Sequence, residues 1–278
     1  MKIIGVGDNV VDYYKDREEI FPGGNAVNVA VLAKRYGASA ASYMGIVGND
    51  RSAAHLLESL TAENIDISTV RQVCGPNGES VIALTEELDR VFVGSNKGGV
   101  QSSVRLNFNE QDLAYIAQHD ILHSSMYSDT ETDIALLSRH IPVSFDFSFK
   151  YEEDYLQLLC PHVTYAFFSG SELTEEEGIC LLHRANELGA AVCVMTRGEK
   201  GAIALANGKL YKQGIVPAAV VDTLGAGDSF IAMTLVDYYE KRDMASALQK
   251  AAQAAAATCE FYGAFGYGVP KKEAENIL

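Results

Sequence analysis

The sequence predicts an α/β domain: a mainly parallel central sheet flanked by helices, carrying a small β-sheet lid. Three observations predict it. From residue 109 onward, short apolar strand patterns alternate with helical patterns, and such alternation builds a parallel sheet covered on both faces. Residues 70–100 break that rhythm. Val70–Val73, Glu79–Leu84 and Arg90–Gly94 read as short strands separated by Gly-Pro-Asn-Gly and Glu-Glu-Leu-Asp, with no helical pattern among them. The length, 278 residues of which 48% are hydrophobic, suffices for one large core. We expect a single domain over 1–278, with a lid formed from about 12–22 and 66–102.

Lys2–Val6 is short and apolar and reads as a buried strand. Gly5-Val6-Gly7 invites a dinucleotide-binding turn, but Val10 stands where the third glycine belongs, which sets that fold aside. Asp8 and Asp12 lie just past the strand's carboxyl end, the side on which open α/β sheets bind ligands; each either caps a turn or faces a ligand. Gly23-Gly24 opens a helix that runs through Leu32 and Tyr36 to Gly37. Asn28 falls one turn into that helix, on the face of its start, where its amide both donates and accepts. Ala40–Val47 reads as a strand and Ser52–Glu63 as a helix.

After the lid, Asn109 caps a helix with Asp112 at its third position. Strands at Ile121–Ser124, Val143–Phe147, Tyr165–Ser169 and Ala191–Thr196 alternate with helices at Thr130–Ser138, Glu152–Leu159 and Thr174–Leu188. Ala202–Ala206 and Lys209–Lys212 flank Asn207-Gly208, a hairpin signal, and are expected at the sheet's edge. Ala218–Val221 is β-branched and apolar and is expected to be a strand leading into a glycine turn and a helix through Phe230–Tyr239. Met244–Glu260 is an alanine-rich helix whose small side chains allow close packing.

Bulk charge narrows the function classes. A net charge of −15 and a pI of about 4.8 argue against nucleic acid or an anionic membrane as partner. The five cysteines are scattered, with no Cys-x-x-Cys, so neither a disulfide framework nor a zinc site is indicated. The six histidines show no metal-ligand spacing. No apolar run reaches the ~18 residues of a membrane span, and a soluble cytoplasmic protein is expected.

The chemistry concentrates in Asp222-Thr223-Leu224-Gly225-Ala226-Gly227-Asp228-Ser229-Phe230. Gly225 and Gly227 let the backbone turn tightly against a ligand, and the first-turn N–H groups of the following helix point at whatever anion sits there. Asp228, at that same helix start, is placed either to cap it or to take a proton from an attacking hydroxyl beside a phosphate.

This stretch resembles the C-terminal signature of the ribokinase-like (PfkB) carbohydrate kinases, Asp-Thr-x-Gly-Ala-Gly-Asp-Ser-Phe, at every specified position. Gly23-Gly24-Asn25-Ala26-Val27-Asn28-Val29-Ala30 resembles the family's N-terminal signature, Gly-Gly-x-x-x-Asn-x-Ala. Val47-Gly48-Asn49-Asp50, Ser169-Gly170-Ser171-Glu172 and Thr196-Arg197-Gly198-Glu199-Lys200-Gly201 are similar to three minor motifs, the second with Ser169 in place of Asn. The resemblance implies a ribokinase-like three-layer sandwich and an ATP- and Mg2+-dependent kinase acting on a primary hydroxyl of a sugar or sugar derivative. It implies Asp228 as catalytic base, with Gly225, Ala226 and Gly227 as the anion hole. It places Asp12, Gly24 and Asn28 at the substrate, with Asp8 as a further contact, and Thr196, Gly198, Gly201 and Gly227 at ATP; Asp89 and Arg90 in the lid either face the sugar or end a solvated hairpin. Glu172 organises magnesium, through water; Asp222 and Thr223 form a monovalent-cation (K+) site in some members. Phe261, Tyr262 and Phe265 lie where the family wraps adenine.

The stretches Gly23–Ala30, Asp89-Arg90-Val91-Phe92, Tyr115-Ile116-Ala117-Gln118-His119-Asp120-Ile121-Leu122-His123 and Phe145-Asp146-Phe147-Ser148 look like the fructoselysine 6-kinase branch. A substrate carrying a lysine ammonium suits an acidic protein, whereas Lys97 in the lid has the opposite sign. Fructokinase, ribokinase or nucleoside kinase activity is the alternative, and a non-catalytic sugar- or nucleotide-binding protein the alternative of another class. Family lids pair between subunits, which makes a homodimer through the lid an expectation.

Overall fold

The computed structural model describes residues 1–84 and 90–272. The chain opens with β1 (Lys2–Val6), β2 (Val10–Tyr14), β3 (Glu19–Gly23) and helix α1 (Asn25–Arg35). It continues through β4 (Ala40–Met44), β5 (Ile46–Val47), α2 (Arg51–Ala62), β6 (Arg71–Gln72), β7 (Glu79–Leu84) and β8 (Arg90–Ser95). Then α3 (Glu110–Ile116), β9 (Ile121–Ser125), α4 (Ile134–Leu137), β10 (Val143–Ser148), α5 (Glu153–Leu159), β11 (Tyr165–Ser169), α6 (Glu175–Glu187) and β12 (Val192–Thr196) alternate. The hairpin β13 (Ala202–Ala206) and β14 (Lys209–Gln213), helices α7 (Ala226–Lys241) and α8 (Met244–Thr258), and β15 (Val269–Pro270) complete it.

The main sheet has the order β14-β13-β12-β11-β10-β9-β1-β4. Its strands from β4 to β12 pair in parallel and β13 turns antiparallel. Central strands β9 and β10 are buried along their whole length, which parallel strands covered on both faces require. Edge strand β14 has no buried position and carries Lys209 and Lys212, as a sheet edge tolerates. Helices α1, α2, α7 and α8 pack one face around Leu32, Leu56, Phe230 and Leu248. The other face is filled by Phe145, Phe147, Phe168 and Leu182 among others. Carboxyl ends of β1, β9, β10, β11 and β12 share one edge of this sheet, where ligands bind in such folds.

The second sheet, β15-β3-β2-β7-β8, is the lid. Four of its strands lie in the expected segments; the fifth does not. Val269–Pro270 returns from the far end of the chain to pair with Glu19 and Ile20, a pairing too short and too remote for a local pattern to signal. Val70–Val73 is the reverse case. Arg71–Gln72 pairs with β5 in a separate two-stranded sheet and not with the lid. Ala40–Val47 breaks at Gly45, where a side chain would collide with the Tyr43 hydroxyl and the Gly7 carbonyl. Helix Thr130–Ser138 shrinks to Ile134–Leu137 behind turns.

Ala218–Val221 is not a strand. It runs as coil with Val220 64% and Val221 46% exposed, held instead by amides of Val221 and Asp222 donating to the Cys259 carbonyl at the end of α8. β-branched composition was the only argument for a strand there, and no neighbouring strand offers a ladder.

Among the described residues no helix is long and apolar enough to cross a membrane.

Candidate active site

A cavity of about 830 Å3 lies between the carboxyl edge of the main sheet and the lid. Asp8, Asp12, Gly24, Asn28, Gly227 and Asp228 all line it, so six of the expected residues meet there. Arg90 opens strand β8, but its side chain, like all of Asp89, lies outside the described residues.

Asp228 sits in the first turn of α7, whose N-cap Gly225 adopts a left-handed φ of 77°. Its Oδ1 accepts from Asn25 Nδ2 at 2.8 Å and its Oδ2 from Asn28 Nδ2 at 2.7 Å. Both donors are on α1, which α7 packs against through the Tyr36–Ser229 hydroxyl pair at 2.6 Å. The carbonyl oxygen of Asn28 is buried without a protein partner, a buried acceptor suited to a hydroxyl donor.

Asp8 has another task beside facing the cavity. Helix α1 has no side-chain cap of its own, because its N-cap is Gly24. Asp8 supplies one from across the turn, accepting from the amides of Asn25 at 2.6 Å and Ala26 at 3.2 Å and from the hydroxyls of Ser128 and Ser125. Gly24 is forced by the same approach: a Cβ there would come within 2.6 Å of Asn9 Cα, at a φ of 106°.

Asp222 ties the glycine turn to the lid. Its carboxylate accepts from the Tyr14 hydroxyl of β2 and from the amides of Leu224 at 3.0 Å and Gly263 at 3.1 Å. Tyr14, Phe21, Ile82 and Tyr262 pack around that contact. Of the three aromatics expected at adenine, Tyr262 therefore serves the lid and Phe265 is core, leaving Phe261 37% exposed.

Thr196 ends β12, and Gly198 and Gly201 shape the turn after it with φ of 56° and 79°. Glu172 is exposed in the turn after β11, with the Ser171 hydroxyl 3.4 Å away. Among the described residues no cluster of three or more His, Cys, Asp or Glu side chains could hold a metal. One exposed carboxylate nevertheless fits magnesium, which keeps most of its waters and takes nucleotide phosphates as further ligands.

Two further residues belong to the site. Asp146 lines the cavity at the end of β10 and accepts from Asn25 Nδ2 at 2.9 Å. Burial pushes its carboxyl up to about 7, with the charges of Asp228 and Asp8 adding to the rise against the amides of Ser148 and Asn25. Asn25 itself was legible: it stands three residues before Asn28, hence on the same helix face. Asp146 ends a strand, which is legible, but its partner Asn25 comes from α1, which is not.

The raised Asp146 value has a consequence for folding. A carboxyl that binds its proton more tightly folded than unfolded contributes stability below about pH 4, and that contribution is lost as pH rises towards about 7. Asp146→Asn removes this dependence, worth on the order of 4 kcal/mol at most. Its stability relative to wild type is expected to rise between about pH 4 and 7, read from urea midpoints.

Comparison with known proteins follows from this geometry. Residues 2–271 match the model of the pfkB family carbohydrate kinases. The chain belongs to this family. It is 55% identical over 270 residues to "Fructosamine kinase FrlD" of Bacillus subtilis (strain 168), covering 97% of this chain and 95% of the relative. It is 35% identical to "Fructoselysine 6-kinase" of Escherichia coli (strain K12), covering 94% and 98%. Among solved structures, Arabidopsis thaliana ribokinase complexed with ribose and ATP aligns with a TM-score of 0.78 at 19% identity, covering 100% of this chain and 98% of that one. The ribokinase-like architecture read from the two PfkB signatures is thus the one adopted.

Proposed function

We propose that this PfkB kinase transfers the γ-phosphoryl group of ATP to the primary hydroxyl of a fructosamine, a sugar joined through C1 to an amine. The single observation that carries the substrate is the 55% identity, along nearly the whole chain, to a fructosamine kinase. Cavity charge supports it. Asp8, Asp12, Asp129, Asp146 and Asp228 line the cavity against Lys97 and Arg105, and Arg105 is paired with Asp129 at 3.0 Å and Asp133 at 3.8 Å. Such a site favours a cationic amine over a neutral sugar.

In this reading Asp12, Gly24 and Asn28 hold the sugar, and the buried Asn28 carbonyl accepts one of its hydroxyls. Asp8 acts by fixing the start of α1. Asp228 takes the proton as the hydroxyl oxygen bonds to the γ-phosphorus and the bond to the β-phosphate oxygen breaks. Amides of Gly225, Ala226 and Gly227 meet the charge on the transferred group. Thr196, Gly198 and Gly201 shape the nucleotide site. Magnesium, held through water by Glu172, would neutralise the nucleotide phosphates. The lid excludes water as the competing acceptor.

A potassium ion at Asp222 and Thr223 would share a carboxylate already engaged by Tyr14, and a potassium titration of the rate tests it. Strand β8 exposes Phe92 and Val93 at the lid's edge, which supports a homodimer there; light scattering tests it. The free cysteines suit a reducing cytoplasm.

ADP release over a panel of fructosamines, fructose, ribose and nucleosides decides the substrate. We expect fructosamines to exceed fructose by at least about tenfold in kcat/KM, the discrimination one charge pair supplies. Equal turnover of fructose would sink the fructosamine reading and leave the kinase standing.

A further inference from the structure

We propose that Asn25, locked from behind by His123, is the positioning residue that aims Asp228, and that it does so by bridging Asp228 to Asp146. The inference rests on Asp228 being the base and adds how that base is held.

Hydrogen accounting fixes every orientation in the bridge. One nitrogen, Asn25 Nδ2, lies 2.8 Å from Asp228 Oδ1 and 2.9 Å from Asp146 Oδ2. An amide nitrogen has two hydrogens, one for each carboxylate. Its oxygen is therefore turned the other way, to His123 Nε2 at 2.8 Å. That oxygen only accepts, so Nε2 carries the imidazole proton. His123 Nδ1 then accepts from the Ser144 hydroxyl at 2.9 Å. Complete burial drives the His123 ring down to about 3, so it has one proton to place and stays neutral.

The result is a chain from Ser144 through His123 and Asn25 to two acids, drawn from β10, β9, α1 and α7. Swinging the Asn25 amide would turn its oxygen onto two carboxylates and orphan a buried imidazole N–H, so the amide has one orientation. Asp228 inherits that orientation.

The bridge also answers the charge problem of the cavity. Asp8, Asp12, Asp129 and Asp146, with the Tyr127 phenol, face the cavity that Asp228 lines, and among the described residues Lys97 and Arg105 are the cations that line it. Crowded acids favour protonated carboxyls, whereas N–H donors favour the charged form. Donation from Asn25 and Asn28 favours the charged form of Asp228, the form that accepts a proton.

The test uses the full chain and its ATP-dependent turnover of a fructosamine. Asn25→Ala is expected to lower kcat by about 10–100-fold with KM for ATP within about twofold. Its acid limb of kcat/KM against pH is expected to move up by about one unit, which a merely structural role would not do. His123→Leu should give the same signature, and the double variant should be no worse than Asn25→Ala alone, because the two act as one unit. His123→Gln keeps a donor toward Asn25 and should recover most of the rate. An unmoved acid limb in Asn25→Ala, or losses that multiply in the double variant, overturns the bridge. Nitrogen NMR of the wild-type imidazole needs no variant: protonation at Nε2 supports the bridge and protonation at Nδ1 overturns it. Asp228→Asn separates the two layers. If that variant stays active the base assignment falls and the bridge with it; if it is inactive while Asn25→Ala behaves as wild type, the bridge alone falls.

Discussion

Asp228→Asn is expected to lower kcat by about 10²–10⁴-fold while the protein folds normally and KM for ATP hardly moves. The substitution keeps the shape and removes the proton acceptor. It also removes one of two hydrogen-bond acceptors, since an amide offers one oxygen where the carboxylate offered two. The surroundings can absorb that change on one side. Asn25 is held by His123 and must keep donating, so the new oxygen faces it. Asn28 has a carbonyl with no protein partner, and a flip turns that oxygen to the new NH2 group. Stability should therefore fall by no more than about 1 kcal/mol. Steady-state ADP release and a thermal melt check both halves. Activity within about tenfold of wild type would remove Asp228 as the base.

The second large effect separates two glycines that the signature treats alike. Gly225 has a φ of 77°, and a Cβ there would stand 2.3 Å from Ala264 Cβ and 2.6 Å from its Cα. Gly227 has no heavy atom within 4 Å of the Cβ position and no strained φ, and it lines the cavity. Gly225→Val should thus destabilise by on the order of 2–5 kcal/mol through strain and overpacking. That corresponds to a fall in Tm of roughly 4–20 °C for a chain of this size. Gly227→Val should melt within a few degrees of wild type yet lose about 10²-fold in kcat/KM for ATP, because its side chain fills space meant for phosphate. Calorimetry alongside kinetics reads the contrast. A Gly227 variant with normal kinetics would show that the phosphoryl group passes elsewhere.

Legibility followed the range of the forces involved. Alternation of apolar runs marked the parallel sheet, because fully buried strands must be apolar along their whole length, as β9 and β10 are. Asn109 announced its helix because capping is a contact within four residues. Signals failed where a partner is remote. β15 is a strand because β3 has an open edge, and Val220 and Val221 are coil because the amides of Val221 and Asp222 donate to the Cys259 carbonyl at the end of α8. The same rule divides the site. Asp228, Gly225 and Asn28 stand in contiguous motifs, and the cavity gathers Asp228 and Asn28 as those motifs imply. Asp146 and His123 act through Asn25 from strands far away in sequence, so the stretches that hold them could be read as resemblances but not as contacts.

Asp228 and the two asparagines that orient it are 200 and 203 residues apart in the chain. During synthesis the amino-terminal half of the sugar pocket is translated long before helix α7 exists. Until that late helix docks on α1, a nascent chain presents no proton acceptor beside an anion-binding turn. If Asp228 is the base, as proposed, incomplete copies lack the assembled site, and activity reports on the finished fold.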